Sequence, residues 1–196
     1  MLFRSEQRKN TVRLLQAFAH LRRCDAAWAD ARLVVVGGAS MLDHSGAQRA
    51  WSQALHTHGL TEGPGQAVLR TGTVADAVLP ALMRRASVLA MPSLMEGFGL
   101  AALEALACGT PVLVSARPPF TEHFRGAQAV AWCDPEDTLS IAAGLQQAAA
   151  MDRLHQTPGV CLQHSWARSA ALHEAWYGRR LAARAEARTT LELTAP

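Results

Sequence analysis

The chain lacks both a long apolar segment and an amino-terminal targeting pattern. No run of about 18 apolar residues occurs, so the sequence predicts no transmembrane helix. The first residues also lack the charged-then-apolar pattern of a secretory signal peptide. These two absences lead us to expect a cytoplasmic protein.

The chain also has only a small excess of one charge sign and no recognisable metal-ligand motif. The 19 basic and 16 acidic residues give a net charge of +3, too small an excess to indicate a nucleic-acid partner. His56 and His58 belong to no recognisable ligand set, and no GxGxxG pattern opens a helix, which argues against a dehydrogenase or a methyltransferase. The four cysteines show no CxxC spacing and are expected to be free and mostly buried: Cys24, Cys108, Cys133 and Cys161.

What the chain does contain is a regular alternation of two kinds of segment. Hydrophobic residues make up 49% of the 196 residues and charged residues 18%, as in a folded domain with its own core. Short β-rich runs alternate with helical runs, which predicts a parallel sheet covered on both faces, a Rossmann-like three-layer α/β/α fold. The predicted strands are 31–38, 67–72, 87–93, 111–116 and 129–133, and the predicted helices are 10–23, 45–58, 76–85, 97–108 and 136–150.

The pattern changes towards the end of the chain. Residues 1–164 are expected to form the Rossmann-like domain, residues 165–185 one long helix, and the polar residues 186–196 a disordered tail. At the other end, the first strand has only two or three residues before the basic stretch RSEQRKN. We therefore expect that the beginning of this strand is missing or that the chain is a fragment.

One acid lies inside an otherwise apolar helical segment. Residues 97–108 carry the single charge of Glu104, and because apolar side chains occur all round this helix we expect it to be buried on both sides. A carboxylate is rarely buried without a partner. Glu104 is therefore expected to bind a protein donor or a ligand, or to reach solvent at the edge of the leucine face.

The start of the same helix has the features of an anion site. The amide groups of Gly97, Phe98 and Gly99 have no intrahelical partner, and the two glycines let a ligand approach the backbone closely. A helix start after a parallel strand faces the crevice at the strand ends. Glu96 at that mouth would repel a bare phosphate and more readily accepts hydrogen bonds from hydroxyl groups. A ligand with both phosphate and hydroxyl groups fits this pairing.

Two cations follow the first predicted strand. Arg4 and Lys9 lie five residues apart, on a loop that opens on the same crevice when the sheet is parallel. Together they can neutralise a diphosphate. The alternative is a solvated basic loop.

The stretch EGFGLAALEALACGTPV (96–112) resembles the E-x7-E signature of retaining GT-B glycosyltransferases, in particular glycosyltransferase family 4, or group 1. The blocks that flank it follow the family's order: FRSEQRKNTVRLLQAFAHL, ARLVVVGG, TGTVADAVLPALMRRASVLAMPS, CDPEDTLSIAAGL and HSWARSAALHEAWY. The resemblance covers most of the chain but only one of the family's two Rossmann-like domains, the C-terminal one, which binds the donor. It implies retaining transfer of a hexosyl group from a nucleotide-diphosphate sugar.

The resemblance also implies roles for individual residues. Glu104 would hold the ribose hydroxyls, and Glu96 would contact hydroxyls of the transferred sugar. Arg4 and Lys9 would stabilise the leaving diphosphate in place of a divalent metal, so that no metal and no other cofactor is expected. Catalytic roles thus fall on Glu96, Arg4 and Lys9. The remaining donor-binding positions would be Gly37 beside the nucleotide, Thr73 and Val74 at the base, and the amides of Gly97, Phe98, Gly99 and Leu100 at the sugar and diphosphate.

The acceptor-binding domain of the family has no counterpart in the resemblance. Three interpretations therefore stay open: a fragment of a glycosyltransferase, one subunit of a two-chain enzyme, and a non-catalytic nucleotide-sugar binding module. Base recognition through the backbone leaves little trace in the sequence, and neither base, sugar nor acceptor is predicted. Without the other domain, the final helix is expected to expose Trp176 and Tyr177.

Overall fold

The computed structural model describes residues 2–3, 7–38 and 45–194 of the chain. Side chains are described for residues 7–38 and 45–184. Two compact units are present, Met1–Pro158 and Gly159–Pro196.

The first unit is built on parallel strands. Two sets of three paired strands, β1-β2-β3 and β4-β5-β6, are joined where β1 lies beside β4. The resulting order, β3-β2-β1-β4-β5-β6, is that of a doubly wound sheet, in which ligands bind at the point where the strand order reverses. All five predicted strands are confirmed, and the short first strand is present as well. The described strands are β1 Leu2–Phe3, β2 Leu33–Val36, β3 Val68–Gly72, β4 Leu89–Met91, β5 Val112–Ser115 and β6 Val130–Cys133.

The predicted helices are confirmed, with shifted boundaries. α3 begins at Leu79 rather than residue 76, and α4 at Leu100 rather than residue 97. Four short segments were not predicted because they show no helical period: α5, α7 and two 3-10 turns, Gln7–Lys9 and Ala26–Trp28. The described helices are α1 Thr11–Cys24, α2 Ser45–Thr57, α3 Leu79–Arg85, α4 Leu100–Ala107, α5 Phe120–His123, α6 Thr138–Ala149, α7 Gly159–Gln163 and α8 Trp166–Thr194.

Helices cover the sheet on both faces. α1 contacts α2 and α6, whereas α4 packs against α3, β4 and β5. Leu14 and Leu15 of α1 and Ile141 of α6 are completely buried, and so is Leu106 of α4. Every residue of β5 is buried, as expected of a parallel strand between two helical layers. The predicted three-layer α/β/α fold is confirmed.

The second unit contains α7 and the long helix α8. Side chains of α8 are exposed along nearly its whole described length, and Trp176 and Tyr177 are exposed as predicted, at 48% and 57%. α8 continues to Thr194, past the predicted end at residue 185, and residues 181–191 are rich in the strong helix formers Ala, Leu and Arg. No helix among the described residues is long and apolar enough to cross a membrane.

A single buried asparagine joins segments that lie far apart in sequence. Asn10 is 6% exposed and adopts a left-handed conformation (φ 59°, ψ 36°) directly before α1. Its side-chain amide donates hydrogen bonds to the carbonyls of Pro92 (3.0 Å) and Pro135 (2.6 Å), which follow β4 and β6. Its Oδ1 accepts a hydrogen bond from Arg13 Nη1 (3.2 Å). The loop after β1 is thereby held against the carboxyl ends of β4 and β6.

Replacing Asn10 by alanine is expected to lower the free energy of unfolding by about 3 kcal/mol. Two buried carbonyls lose their donor, at about 1 kcal/mol each, and alanine costs about 1 kcal/mol in the left-handed conformation. Asn10→Gly should recover only the conformational part, and Asn10→Asp, which sets a carboxylate against two carbonyls, should be no better than alanine. Chemical denaturation measures all three, and a loss below about 0.5 kcal/mol for the alanine variant contradicts the anchoring role.

The four cysteines are free, but their burial differs from the expectation. Only Cys133 is buried, whereas Cys24 is exposed and Cys108 and Cys161 are half-buried, so the expectation of mostly buried thiols is wrong. Cys24 is the last residue of α1 and is exposed, a position that the composition of the chain does not reveal. Burial, together with the charge of Asp134, raises the pKa of the Cys133 thiol to about 12.

Alkylation at mildly alkaline pH should therefore distinguish the thiols. Because the thiolate is the reactive form, Cys24 is expected to be labelled first and Cys133 only after unfolding. Peptide mass mapping over time measures this, with Cys24→Ser as the control that removes the fast site. Labelling of Cys133 in the native protein at the rate of Cys24 would show that the thiol is accessible and ionised.

Candidate functional site

The loops that border the crevice at the ends of β1 and β4 are joined by backbone and side-chain hydrogen bonds. Leu94 N donates to Arg8 O (2.8 Å), which joins the loop after β4 to the loop after β1. The Asn10 amide ties the same two loops through Pro92. Residues 7–10 and 92–99 therefore meet at the reversal point of the sheet, where the sequence analysis placed the site.

Glu96 is the centre of the charged groups in this crevice. It forms an ion pair with Lys9 Nζ, a second one with Arg8 Nη1 (3.4 Å), and it accepts a hydrogen bond from Ser93 Oγ (3.4 Å). The side chains of Lys9 and Glu96 are only 10% and 11% exposed, whereas that of Arg8 is 45% exposed. The structure thus brings two predicted residues, Lys9 and Glu96, into contact and adds Arg8 and Ser93.

The helix start beside this cluster leaves backbone donors open. Gly99, in the left-handed conformation (φ 91°), is the residue before α4, so residues 97–99 lie outside the helix that was predicted to include them. Gly97 N lies 3.4 Å from Oε1 of Glu96. Within the described residues, the amides of Gly99 and Leu100 donate no hydrogen bond. Such orphan donors at a helix start are available to an anion.

The two glycines at this start serve different purposes. A Cβ on Gly99 would lie 2.6 Å from the ring of Phe120, so glycine is required there by packing as well as by its positive φ. A Cβ on Gly97 would meet no atom within 4 Å. The space beside the Gly97 backbone is therefore open, and a ligand group can approach the main chain there.

One stripe of α4 faces solvent, which corrects the expectation that this helix is buried on both sides. Leu100 is 53% exposed, and Glu104 and Ala107 are exposed too, while Leu103 and Leu106 are buried. The stripe follows the i, i+4, i+7 spacing of one helix face, which composition alone does not reveal. Among the described residues no side chain binds Glu104, so its carboxyl group is accessible to a ligand. Partial burial raises the pKa of the Glu104 carboxyl group.

The ends of β2 and β3 form a second predicted part of the site. Gly37 N donates to Gly72 O (2.9 Å), and both glycines have positive φ. A Cβ on Gly38, which the sequence analysis did not single out, would lie 2.6 Å from Thr73 Oγ1. Thr73 is exposed and Val74 half-buried. Gly37 and Thr73 are thus brought to the same strand ends, and α3, which follows Val74, packs against α4.

An aromatic contact at the helix start was missed. The ring of Phe98 lies 4.4 Å from that of His123 between centroids, at 34°. His123 ends the four-residue helix α5, which has no periodic signal to direct attention to it.

Of the predicted catalytic residues, Arg4 lies outside the described residues. No group of three or more potential metal ligands occurs in the described part of the chain, and a metal-free site stays a prediction.

The chain is similar in sequence to known proteins. The family model described as Glycosyl transferases group 1 matches residues 1–159. D-inositol 3-phosphate glycosyltransferase of Salinispora tropica is 43% identical over 135 residues, 67% of this chain and 27% of that protein. GDP-mannose-dependent alpha-(1-6)-phosphatidylinositol dimannoside mannosyltransferase of Mycobacterium tuberculosis is 38% identical over 115 residues, 58% of this chain and 26% of that protein. The chain therefore spans about a quarter of the length of these relatives.

A solved structure is similar over the whole chain. Alpha,alpha-trehalose 6-phosphate synthase of Burkholderia multivorans superposes with a TM-score of 0.74 at 18% identity, over 100% of this chain and 44% of the other. At that identity the similarity establishes the parallel-sheet fold and nothing about the substrates.

Proposed function

The chain belongs to the group 1 glycosyl transferases, and from this membership we propose that it carries the donor-binding site of a retaining GT-B enzyme of family 4. In this proposal it corresponds to the C-terminal domain of such an enzyme. The reaction is transfer of a hexosyl group from a nucleotide-diphosphate sugar. Base, sugar and acceptor are not assigned.

The ion pair between Lys9 and Glu96 carries this proposal. It sets a cation and a carboxylate side by side at the carboxyl ends of β1 and β4, next to the start of α4. A nucleotide-diphosphate sugar needs both, a positive group for the diphosphate and acceptors for the sugar hydroxyls. An ion pair that only stabilised the fold would not need unused backbone amides and open space at Gly97 beside it.

Lys9 is proposed to act on the leaving group. As the bond between the anomeric carbon and the phosphate oxygen breaks, negative charge builds on the diphosphate, and a fixed cation stabilises it. The ammonium group has three donors, so Lys9 can bind Glu96 and a phosphate oxygen together. The amides of Gly99 and Leu100 add two donors, and Arg4 is proposed to act with Lys9. These groups take the role that a divalent metal has in other transferases, and no cofactor is invoked.

The exposed stripe of α4 is proposed to bind the nucleoside. Glu104 accepts hydrogen bonds from the ribose hydroxyls, and the exposed side chain of Leu100, one turn earlier, offers an apolar contact. Gly37 and the backbone at Thr73 and Val74 receive the base at the ends of β2 and β3. Glu96 contacts the sugar hydroxyls, and Gly97 and Phe98 border the sugar.

The acceptor site is proposed to lie on a separate domain or subunit, which the much greater length of the relatives supports. A cytoplasmic site of action is part of the proposal. The same length difference supports an alternative, a donor-binding module without catalytic activity. Donor hydrolysis or transfer by the chain alone would favour the enzyme, and donor binding without either would favour the module.

Replacing Lys9 by alanine is expected to weaken the binding of a nucleoside diphosphate about tenfold or more and that of the nucleoside by less than about twofold. In the proposed complex the ammonium group contacts the diphosphate and no other part of the nucleotide. Calorimetric titration measures both affinities, once a thermal-shift screen with UDP, GDP and ADP has selected the base. Arg23→Ala removes the same charge from the exposed end of α1 and serves as the control. Equal losses for diphosphate and nucleoside would exclude the diphosphate role.

Replacing Glu104 by glutamine is expected to weaken nucleoside binding about fivefold to fiftyfold with little change in stability. In the parent chain, affinity should also fall as the pH is lowered through the raised pKa of Glu104, because the neutral acid is a weaker acceptor. The glutamine variant should lose that pH dependence. Titrations with the nucleoside over a pH series, paired with thermal melts, test this. An unchanged affinity in the variant would assign Glu104 to solvent alone.

A further inference from the structure

The two carboxylate oxygens of Glu96 have different partners. Oε2 forms the ion pair with Lys9 Nζ and accepts the hydrogen bond from Ser93 Oγ. Oε1 lies 3.4 Å from Arg8 Nη1 and 3.4 Å from the amide nitrogen of Gly97. Hydrogen bonds of this kind are ordinarily about 2.7–3.2 Å long, so both contacts to Oε1 are weak. Oε1 is therefore the oxygen that a ligand can bind without displacing a short hydrogen bond.

The partners of Oε1 are also those that solvent reaches. The Arg8 side chain is 45% exposed, whereas that of Lys9 is 10% exposed and Ser93 is buried. Gly97 is exposed, and a Cβ placed on it would meet no atom within 4 Å. Oε1 thus lies on the side of the open space at the start of α4, and Oε2 on the side of the protein interior. A ligand that enters this space meets Oε1 and the Arg8 guanidinium group together.

The backbone at Arg8 is held against the loop that carries Glu96. Arg8 lies in the 3-10 turn Gln7–Lys9, and its carbonyl oxygen accepts a hydrogen bond from Leu94 N (2.8 Å). A guanidinium group carries five N–H donors in a planar fork, so Arg8 can donate to Oε1 and to a ligand oxygen at the same time. The main chain therefore fixes the position of Arg8, while its exposed side chain reaches into the crevice.

A guanidinium group beside a carboxylate oxygen matches a pair of neighbouring sugar hydroxyls. A hydroxyl group can both donate and accept hydrogen bonds. One hydroxyl of the pair can donate to Oε1 of Glu96 while its neighbour accepts from the Arg8 guanidinium group. Hydrogen bonds in which one partner is charged are about twice as strong as neutral ones. Because Lys9, on the other oxygen of Glu96, serves the diphosphate in the proposed function, Arg8 is placed for the sugar.

We propose that Arg8, together with Oε1 of Glu96, binds two neighbouring hydroxyl groups of the transferred sugar, and that Arg8 is a specificity-determining residue of the donor site. This inference rests on the proposed function, which assigns the sugar hydroxyls to Glu96 and gives Arg8 no role. The two cations beside Glu96 then have separate tasks: Lys9 binds the diphosphate and Arg8 binds the sugar.

Titrations with a nucleoside diphosphate and with its glucose conjugate test this role. The ligand pair is UDP and UDP-glucose, GDP and GDP-glucose, or ADP and ADP-glucose, as the thermal-shift screen selects. Arg8→Ala is expected to weaken the glucose conjugate about fivefold or more and the diphosphate less than about twofold. Arg23→Ala, at the exposed end of α1, should change neither affinity. Equal losses for the two ligands would assign Arg8 to the diphosphate and overturn the inference.

A second background separates a direct contact from an effect that acts through Glu96. If Arg8 only held Glu96 in place, Arg8→Ala would cause no further loss in a chain that already carries Glu96→Gln. With a direct contact, adding Arg8→Ala to Glu96→Gln is expected to weaken the glucose conjugate by at least about a further twofold. No further loss would overturn the contact with the sugar. Thermal melts confirm that each variant is folded.

The same titrations distinguish failure of this inference from failure of the proposed function. A parent chain that binds none of the three nucleoside diphosphates would overturn the proposed function, and the role of Arg8 with it. A parent chain that binds a diphosphate but not its glucose conjugate, or that shows no selective loss in Arg8→Ala, would overturn the role of Arg8 alone.

Discussion

The hydrogen bonds of Asn10 are the constraint on which the crevice depends. Each strand of a parallel sheet ends in its own loop, and the sheet alone does not fix how these loops sit against one another. The Asn10 side chain, buried and donating to the carbonyls of Pro92 and Pro135, joins the loops after β1, β4 and β6. Its left-handed conformation also sets the direction in which α1 leaves. Because Lys9 directly precedes Asn10, the same anchor determines where the ammonium group lies and hence that it meets Glu96.

The ion pair that results is poorly placed as a source of stability. Both side chains are almost removed from water, and the desolvation of two charges offsets much of their mutual attraction. Ser93 adds a hydrogen bond to Glu96 and Arg8 adds a second cation, so two positive groups share one carboxylate. The two cations therefore contribute more to the binding of an anionic ligand than to the stability of the fold. The open amides at the start of α4 are consistent with a ligand of that kind.

The sequence predicted those features that repeat or that lie at fixed spacing. Strand and helix periods located the sheet, and the eight-residue spacing of Glu96 and Glu104 located the helix start. Arg8 and His123 were not predicted because each acts through a contact between segments that are separated in sequence, and such a contact leaves no period: Arg8 and Glu96 are 88 residues apart. Ser93 contacts Glu96 from only three residues away, but a single serine in a loop gives no periodic signal either. The exposure of Leu100 was not predicted for a different reason. In the sequence, an exposed leucine such as Leu100 cannot be distinguished from a buried one such as Leu106. Only the packing of α4 against β4 and β5 determines which face of the helix is covered.

The two ends of the parallel sheet differ in electrostatic character. Helix amino termini, with their partial positive charge, gather at the carboxyl ends of the strands, and helix carboxyl termini gather at the other end. Arg85 at the end of α3 is therefore explained in part by the dipole of its own helix. Arg32 has no such explanation, since it precedes a strand. The start of α4 supplies such a positive partial charge beside Lys9, so an anion bound there interacts with both the helix and the cation.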